Sequence, residues 1–166
     1  MSDFFTKTDL SRKDAESIIS ETLNNCDDGE LYLENSKSES IVLDDDKIKS
    51  SSYSSDLGYG LRAVTGEVVA YSHSNEISKK SLKQSANNLS STLKSQKGIY
   101  NHEIPQTNEK FYKDVNPIEE KSLQSKLDLL KEVNNYTRAK GGMVQQVTAS
   151  FLGEHKSIEI IRSGGE

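Results

Sequence analysis

The chain has 166 residues, enough for one domain with a core of its own. Only 33% of it is hydrophobic and Trp is absent, so that core must rely on Leu, Ile, Val and Tyr. A net charge of −5 without a basic stripe argues against a nucleic-acid partner, because phosphate binding needs clustered Lys and Arg. Cys26 is the single cysteine, which excludes an internal disulfide and fits a reducing compartment. The start, MSDFFTKTDL, lacks a secretory apolar core, and no run approaches the ~18 apolar residues of a membrane span. The expectation is a soluble, cytoplasmic chain with no membrane partner.

Residues 1–10 read as a tail and 11–166 as one domain. A helix is expected over 11–25. Ser11 followed by Asp14 has capping-box spacing, and Ala15, Ile18, Ile19, Thr22, Leu23 and Cys26 share one face. Asp27-Asp28-Gly29 stops it, and Cys26 is expected to pack as a thiol in the core. ELYLEN then reads as a strand, with Leu31 and Leu33 on one face. SIVLDDDKIKS reads as strand, acidic turn, strand, with Ile48 facing as Ile41 and Leu43 do. The three aspartates lack the spacing, Gly and terminal Glu of a calcium loop, so they read as a solvated turn.

GYGLRAV and EVVAYSH flank Thr65-Gly66, a compact hairpin connection. The run Ser38–Ser78 as a whole is expected to hold four short strands. Gly58 and Gly60 leave one strand face without side chains. Either another backbone approaches there or a neighbouring Tyr or Leu covers the gap. Arg62 falls on the same face. Gly58, Gly60 and Arg62 are therefore the candidate contact residues for a peptide or a partner. The glycines are no dinucleotide fingerprint, since the third Gly and the following helix are missing.

A second helix is expected over 78–97, capped by Ser78, with Leu82, Ala86, Leu89 and Leu93 buried and Gly98 ending it. A long internal loop over 99–117 holds both prolines. A third helix over 119–140 carries Leu123, Leu127, Leu130, Val133 and Thr137 at helical spacing. MVQQVTASFLGEHKSIEIIRS reads as a closing hairpin, with Val147, Ala149 and Phe151 on one strand, Ile158 and Ile160 on the other, and Gly153 in the turn. Grouped helices and strands with short connections predict an α+β fold, a curved and mainly antiparallel sheet with about three helices on one face.

No catalytic constellation is legible. His73, His102 and His155 are not paired at metal-ligand spacing, and Pro105 would break the helix a His102-Glu103 zinc motif needs. A nucleophile elbow and a phosphate loop are both absent, and the 26 carboxylates are scattered. The residues themselves assign no catalytic and no metal site.

Three stretches carry a resemblance. They are SESIVLDDDKIKSSSYSSDLGYGLRAVTGEVVAYSHSNEIS, FYKDVNPIEEKSLQSKLDLLKEV and VQQVTASFLGEHKSIEIIRSGGE. From about Ser11 to Arg162 the chain resembles the N-terminal domain of the TldD/PmbA (TldD/TldE) zinc metallopeptidases, formerly called modulators of DNA gyrase. The YLEN, LDDDKIK, GYGLR and DVNP segments lie nearer the TldD branch. The resemblance implies a fragment of a longer peptidase chain, inactive alone. Zinc is expected on a His-Glu-x-x-x-His helix in a later part of the parent chain, and no cofactor in this one. It further implies a TldE/PmbA-like partner subunit and unfolded peptide substrates, with this domain helping to build the enclosure. The alternative is a protein-binding regulatory module, such as a modulator of DNA gyrase, without proteolytic activity.

Overall fold

The computed structural model describes residues 4–93, 98 and 115–162. In chain order they form α1 (Arg12–Leu23), β1 (Asp28–Asp44), β2 (Lys47–Thr65), β3 (Val68–Ser74), α2 (Lys79–Leu93), α3 (Leu123–Arg138) and β4 (Thr148–Arg162). The strands make one open antiparallel sheet in the order β3-β2-β1-β4. The fold is α+β, as the grouping of elements predicts.

Two compact units divide the chain. One comprises Met1–Asn35, Asp56–Lys113 and Ser157–Glu166, the other Ser36–Ser55 and Asp114–Lys156. In the first unit, α1 starts where Ser11 accepts a hydrogen bond from the Asp14 N–H at 3.1 Å. Its buried Ala15, Ile18, Ile19 and Leu23 join Cys26, the α2 stripe Leu82, Ala86, Leu89 and Leu93, and the strand residues Leu31, Leu33, Tyr59, Leu61, Ala63 and Ile161. Phe4 and Leu10 enter the same core, so the stretch that reads as a tail contributes to packing. Thr22, on the helix face, is only half-buried and returns its hydroxyl to the Ile18 carbonyl at 2.6 Å. The Tyr59 hydroxyl lies 2.9 Å from both Ser81 and Ser85, which satisfies a polar tip inside an apolar layer.

The second unit has its own small core of Ile41, Leu43, Leu130 and Ala149, with Leu127 and Phe151 packed against it. Its helix α3 begins at Ser122, which accepts from the Ser125 N–H at 3.2 Å.

Several expected boundaries shift. The run Ser38–Ser78 contains the end of β1, then β2 and β3, rather than four short strands. ELYLEN and SIVL belong to a single 17-residue strand. The polar run 50–55 that follows the acidic turn continues the 19-residue β2. Neither polar stretch contains Gly or Pro, so nothing forces the backbone out of the ladder. The closing hairpin is one 15-residue strand, β4, and His155 lies within it. Gly153 lies inside β4 rather than in a turn, and a Cβ there would sit 3.3 Å from Ile118 Cγ1, a close approach that glycine permits.

The β2–β3 turn falls on Gly66-Glu67, one residue later than expected, since Thr65 pairs with Val68. Gly66 takes φ 58, the positive value required at the first position of such a loop. The acidic turn is Asp45-Asp46, both at positive φ. Ile48 follows the two-residue turn opposite Leu43 but is largely exposed, whereas Ile41 and Leu43 are buried. The part of the second helix expected over 94–97, and residues 99–114 of the long loop, lie outside the described residues.

On α3 the stripe is rotated. Leu123 and Val133 are exposed, while Lys126 and Asn134 are buried. Lys126 holds a core-facing position because its charge is paired. Its Nζ donates to the Glu39 carboxylate and, at 2.7 Å, to the Ile118 carbonyl, and it lies 5.5 Å from the Phe151 ring centre.

Candidate contact face

In the first unit, alternation divides β2 between two sides. Tyr59, Leu61 and Ala63 are buried in the core, and Thr65 is buried on the same side. Gly58, Gly60 and Arg62 take the other side. The structure therefore brings the three candidate residues onto one face, as their two-residue spacing requires.

What surrounds each residue differs. A Cβ on Gly58 would lie 2.9 Å from the Ser74 carbonyl oxygen, a backbone atom. A Cβ on Gly60 would meet the Tyr71 hydroxyl at 2.5 Å and its ring carbons at 3.1 Å. Tyr71 thus lies across the space that Gly60 leaves, its ring centre 5.8 Å from that of His73 in a stacked pair. The Tyr71 side chain itself remains largely in solvent.

Arg62 is held by its own chain. Its Nη2 donates to Asp28 Oδ2 at 2.6 Å and its Nε to Glu30 Oε1 at 3.2 Å. Arg162 Nη2 stands 3.5 Å from Glu30 Oε2, so Glu30 faces two guanidinium groups. Asp28 is pushed up by burial, but the hydrogen bond and charge of Arg62 outweigh this and hold it below the ordinary carboxylate value. The hydrogen bond from Arg62 to Asp28 also raises the arginine further. Beyond the carboxylates, the Tyr32 hydroxyl donates to Glu34, and that bond with burial lifts the tyrosine to about 12. The result is a half-buried, charge-balanced ladder of Asp28, Arg62, Glu30 and Arg162. It borders exposed Val69, Tyr71, Ile158 and Ile160. The sequence did not single out the acidic partners, because nothing in β1 alone indicates which strand Asp28 and Glu30 face.

Such a face can bind through hydrogen bonds and apolar contact, and it offers no nucleophile poised beside a base. Among the described residues no group of three or more His, Cys, Asp and Glu could hold a metal ion. His73 and His155 sit on separate strands, and His102 lies outside the described residues. No helix among them is long and apolar enough to cross a membrane.

Comparison with known proteins places this chain in a family. Residues 29–92 match the model of PmbA/TldA metallopeptidase domain 1. The chain is similar to the metalloprotease TldD homologue of Buchnera aphidicola subsp. Acyrthosiphon pisum, with 34% identity over 84% of this chain and 29% of the relative. It is also similar to the Haemophilus influenzae metalloprotease TldD homologue, with 31% identity over 85% of this chain and 30% of the relative. The chain thus spans about a third of the length of the curated relatives it matches. Among solved structures, a proposed modulator of DNA gyrase from Bacteroides thetaiotaomicron has a TM-score of 0.67 at 19% identity, covering 93% of this chain and 37% of the other. TldE from Thermococcus kodakarensis has a TM-score of 0.58 at 16% identity, covering 92% and 35%. At these identities the likeness is one of fold.

Proposed function

From the premise that this chain belongs to the TldD/PmbA family and carries its N-terminal domain, we propose that it serves as a non-catalytic front domain of a TldD-like zinc peptidase acting on unfolded peptides. Its work is to help build the substrate enclosure and to contact a TldE/PmbA-like subunit. The zinc belongs to a later part of such a parent chain, and the setting is cytoplasmic.

The observation that carries this reading is the sheet face on which Gly58, Gly60 and Arg62 lie, with Tyr71 over Gly60 and Arg62 paired to Asp28 and Glu30. It has exposed apolar residues beside a balanced charge ladder, and no catalytic grouping among its described residues. A face of that kind suits contact with a protein surface or an extended peptide better than it suits bond breaking.

The test uses native mass spectrometry of this chain mixed with a TldE/PmbA-like subunit. A complex is expected, and Gly60→Val should weaken it while leaving the melting temperature nearly unchanged, because the added branch displaces the solvent-exposed Tyr71 ring. Absence of a complex, or a complex indifferent to Gly60→Val, would count against the proposal. The alternative role as a gyrase regulator draws on the description of the Bacteroides thetaiotaomicron structure. It predicts altered supercoiling when the chain is added to DNA gyrase.

A further inference from the structure

The connection between α3 and β4, residues 139–147, buries little. Of residues 139–146 only Val144 is half-buried and the rest are exposed, Met143 to 94%. A Cβ at Gly141 or Gly142 would meet no atom within 4 Å. Val147, at the far end, is buried. A segment with so few apolar contacts gains little from packing, and it opens locally at small cost unless polar contacts hold it.

Those contacts converge on the tip of the β1–β2 hairpin, in the same unit. Asp45 Oδ1 accepts from the Val147 N–H at 2.9 Å and also from Arg138 Nη2. The Asp45 N–H donates to the Val147 carbonyl at 2.9 Å. Asp44 Oδ1 accepts from Gln146 Nε2 at 2.8 Å and from Thr148 Oγ1 at 2.9 Å, and Lys49 Nζ stands 3.5 Å from Asp44 Oδ2. Two adjacent carboxylates therefore hold both ends of the connection. Arg138 is held where the chain leaves α3, and residues 146–148 are held where it enters β4. Hydrogen bonds to an ionised acceptor are among the stronger ones, so the hold is concentrated in these few atoms.

We infer that the Asp44–Asp45 turn is a latch. It keeps the α3–β4 connection closed on the end of the second unit, and loss of the Asp45 carboxylate contact releases that connection as one piece while α3 and the sheet stay folded. The latch is independent of the peptidase reading and lies in the other unit from the candidate contact face.

The turn itself supplies a matched pair of variants. Asp45 takes φ 47 and Asp46 φ 64, values that glycine adopts without cost. Asp45→Gly thus removes the carboxylate and leaves the turn able to form, and Asp46→Gly makes the same backbone change while sparing the latch. Arg138→Met removes the cation from the other side without touching the turn.

The measurement is amide hydrogen exchange of the whole chain by NMR, corrected for intrinsic rates. It is read at residue 45 and Val144 and compared with Ile41 and Leu43 of the central strand β1. The residue-45 N–H bonds to the Val147 carbonyl and the Val144 N–H to the Gly141 carbonyl at 3.2 Å, so neither loses its acceptor in these variants. In Asp45→Gly both should exchange about tenfold faster or more, the scale of a lost hydrogen bond to a charged group. Ile41 and Leu43 should change far less. Arg138→Met should act in the same direction, and trypsin should cut after Lys140 faster in both variants. Asp46→Gly should leave the rates at residue 45 and Val144 no faster than the parent's.

Equal acceleration at all four amides would mean that the connection opens only with the whole unit, and would overturn the proposal. So would unchanged rates at residue 45 and Val144 in Asp45→Gly, or an Asp46→Gly variant that accelerates them as much. Should Asp45→Gly not fold, the same comparison in Arg138→Met decides the matter.

Discussion

Gly58 and Gly60 are two residues apart on one strand, yet different neighbours explain each. The space beside Gly58 is closed by the Ser74 carbonyl, which the β2–β3 ladder holds in place. The space beside Gly60 is closed by the Tyr71 ring, which is free to swing into solvent. Gly58→Ala should therefore cost about 1–3 kcal/mol in urea unfolding, the range for forcing a group against fixed atoms. Gly60→Ala should cost less than about 1 kcal/mol. Equal costs would contradict this account of the face. Asp14 offers a second test at this scale. The hydrogen bond from Lys79, with that from Ser11, lowers its carboxyl from 3.8 to about 2. A depressed folded pKa means that the stabilisation is complete above the unfolded value and is lost as pH falls through the folded one. The melting temperature should thus drop between about pH 4 and pH 2 partly through this group, and Asp14→Asn should flatten that part of the profile. An unaltered profile would show that the Lys79 contact does not persist in solution.

At the level of elements, α3 makes the most exacting demand. Lys126, 5% exposed, and Glu39, 10% exposed, form an ion pair within the second unit. Removing one partner of a buried pair strands the other charge, so Lys126→Met should destabilise by about 3–5 kcal/mol. Lys126→Met with Glu39→Leu should recover most of that loss in a double-mutant cycle. A double variant as unstable as the single would show that packing of the Lys126 stem, rather than charge, sets the cost. The same helix shows where sequence reading stops. Helical spacing places α1 and α2 within a few residues, and Ser11, Ser78 and Ser122 all cap where a serine precedes an apolar stripe. Spacing cannot reveal that Lys126 finds an acid on β1 and is buried with it, so the expected α3 stripe includes Leu123 and Val133, which are exposed. The strands are misread for a related reason. ELYLEN and SIVL read as separate strands because the polar residues between them carry no alternation, but composition does not record the neighbouring strands that keep such a segment extended. Gly153 looks like a turn residue because the close approach of Ile118 is a tertiary fact. Of the candidate contact face, Gly58, Gly60 and Arg62 share a side by alternation, whereas Asp28, Glu30 and Arg162 join them only through strand order.

At the scale of the whole molecule, two small cores, one in each unit, replace the single larger core that the chain length suggests. Among the described residues, both cores are made of apolar side chains. What the first unit offers instead is a surface, a mixed apolar and charge-balanced sheet face. That distribution suits a domain that contacts and guides polypeptide while the chemistry is done elsewhere, which is the proposed role. The most direct measurement is cleavage of an unfolded, fluorescently labelled casein in the presence of a TldE/PmbA-like subunit. The substrate is offered to this chain and, separately, to a TldD-like chain that includes it and continues through a His-Glu-x-x-x-His segment. The account predicts cleavage abolished by a zinc chelator with the longer chain and none with the 166-residue chain. Chelator-sensitive cleavage by the 166-residue chain would contradict it.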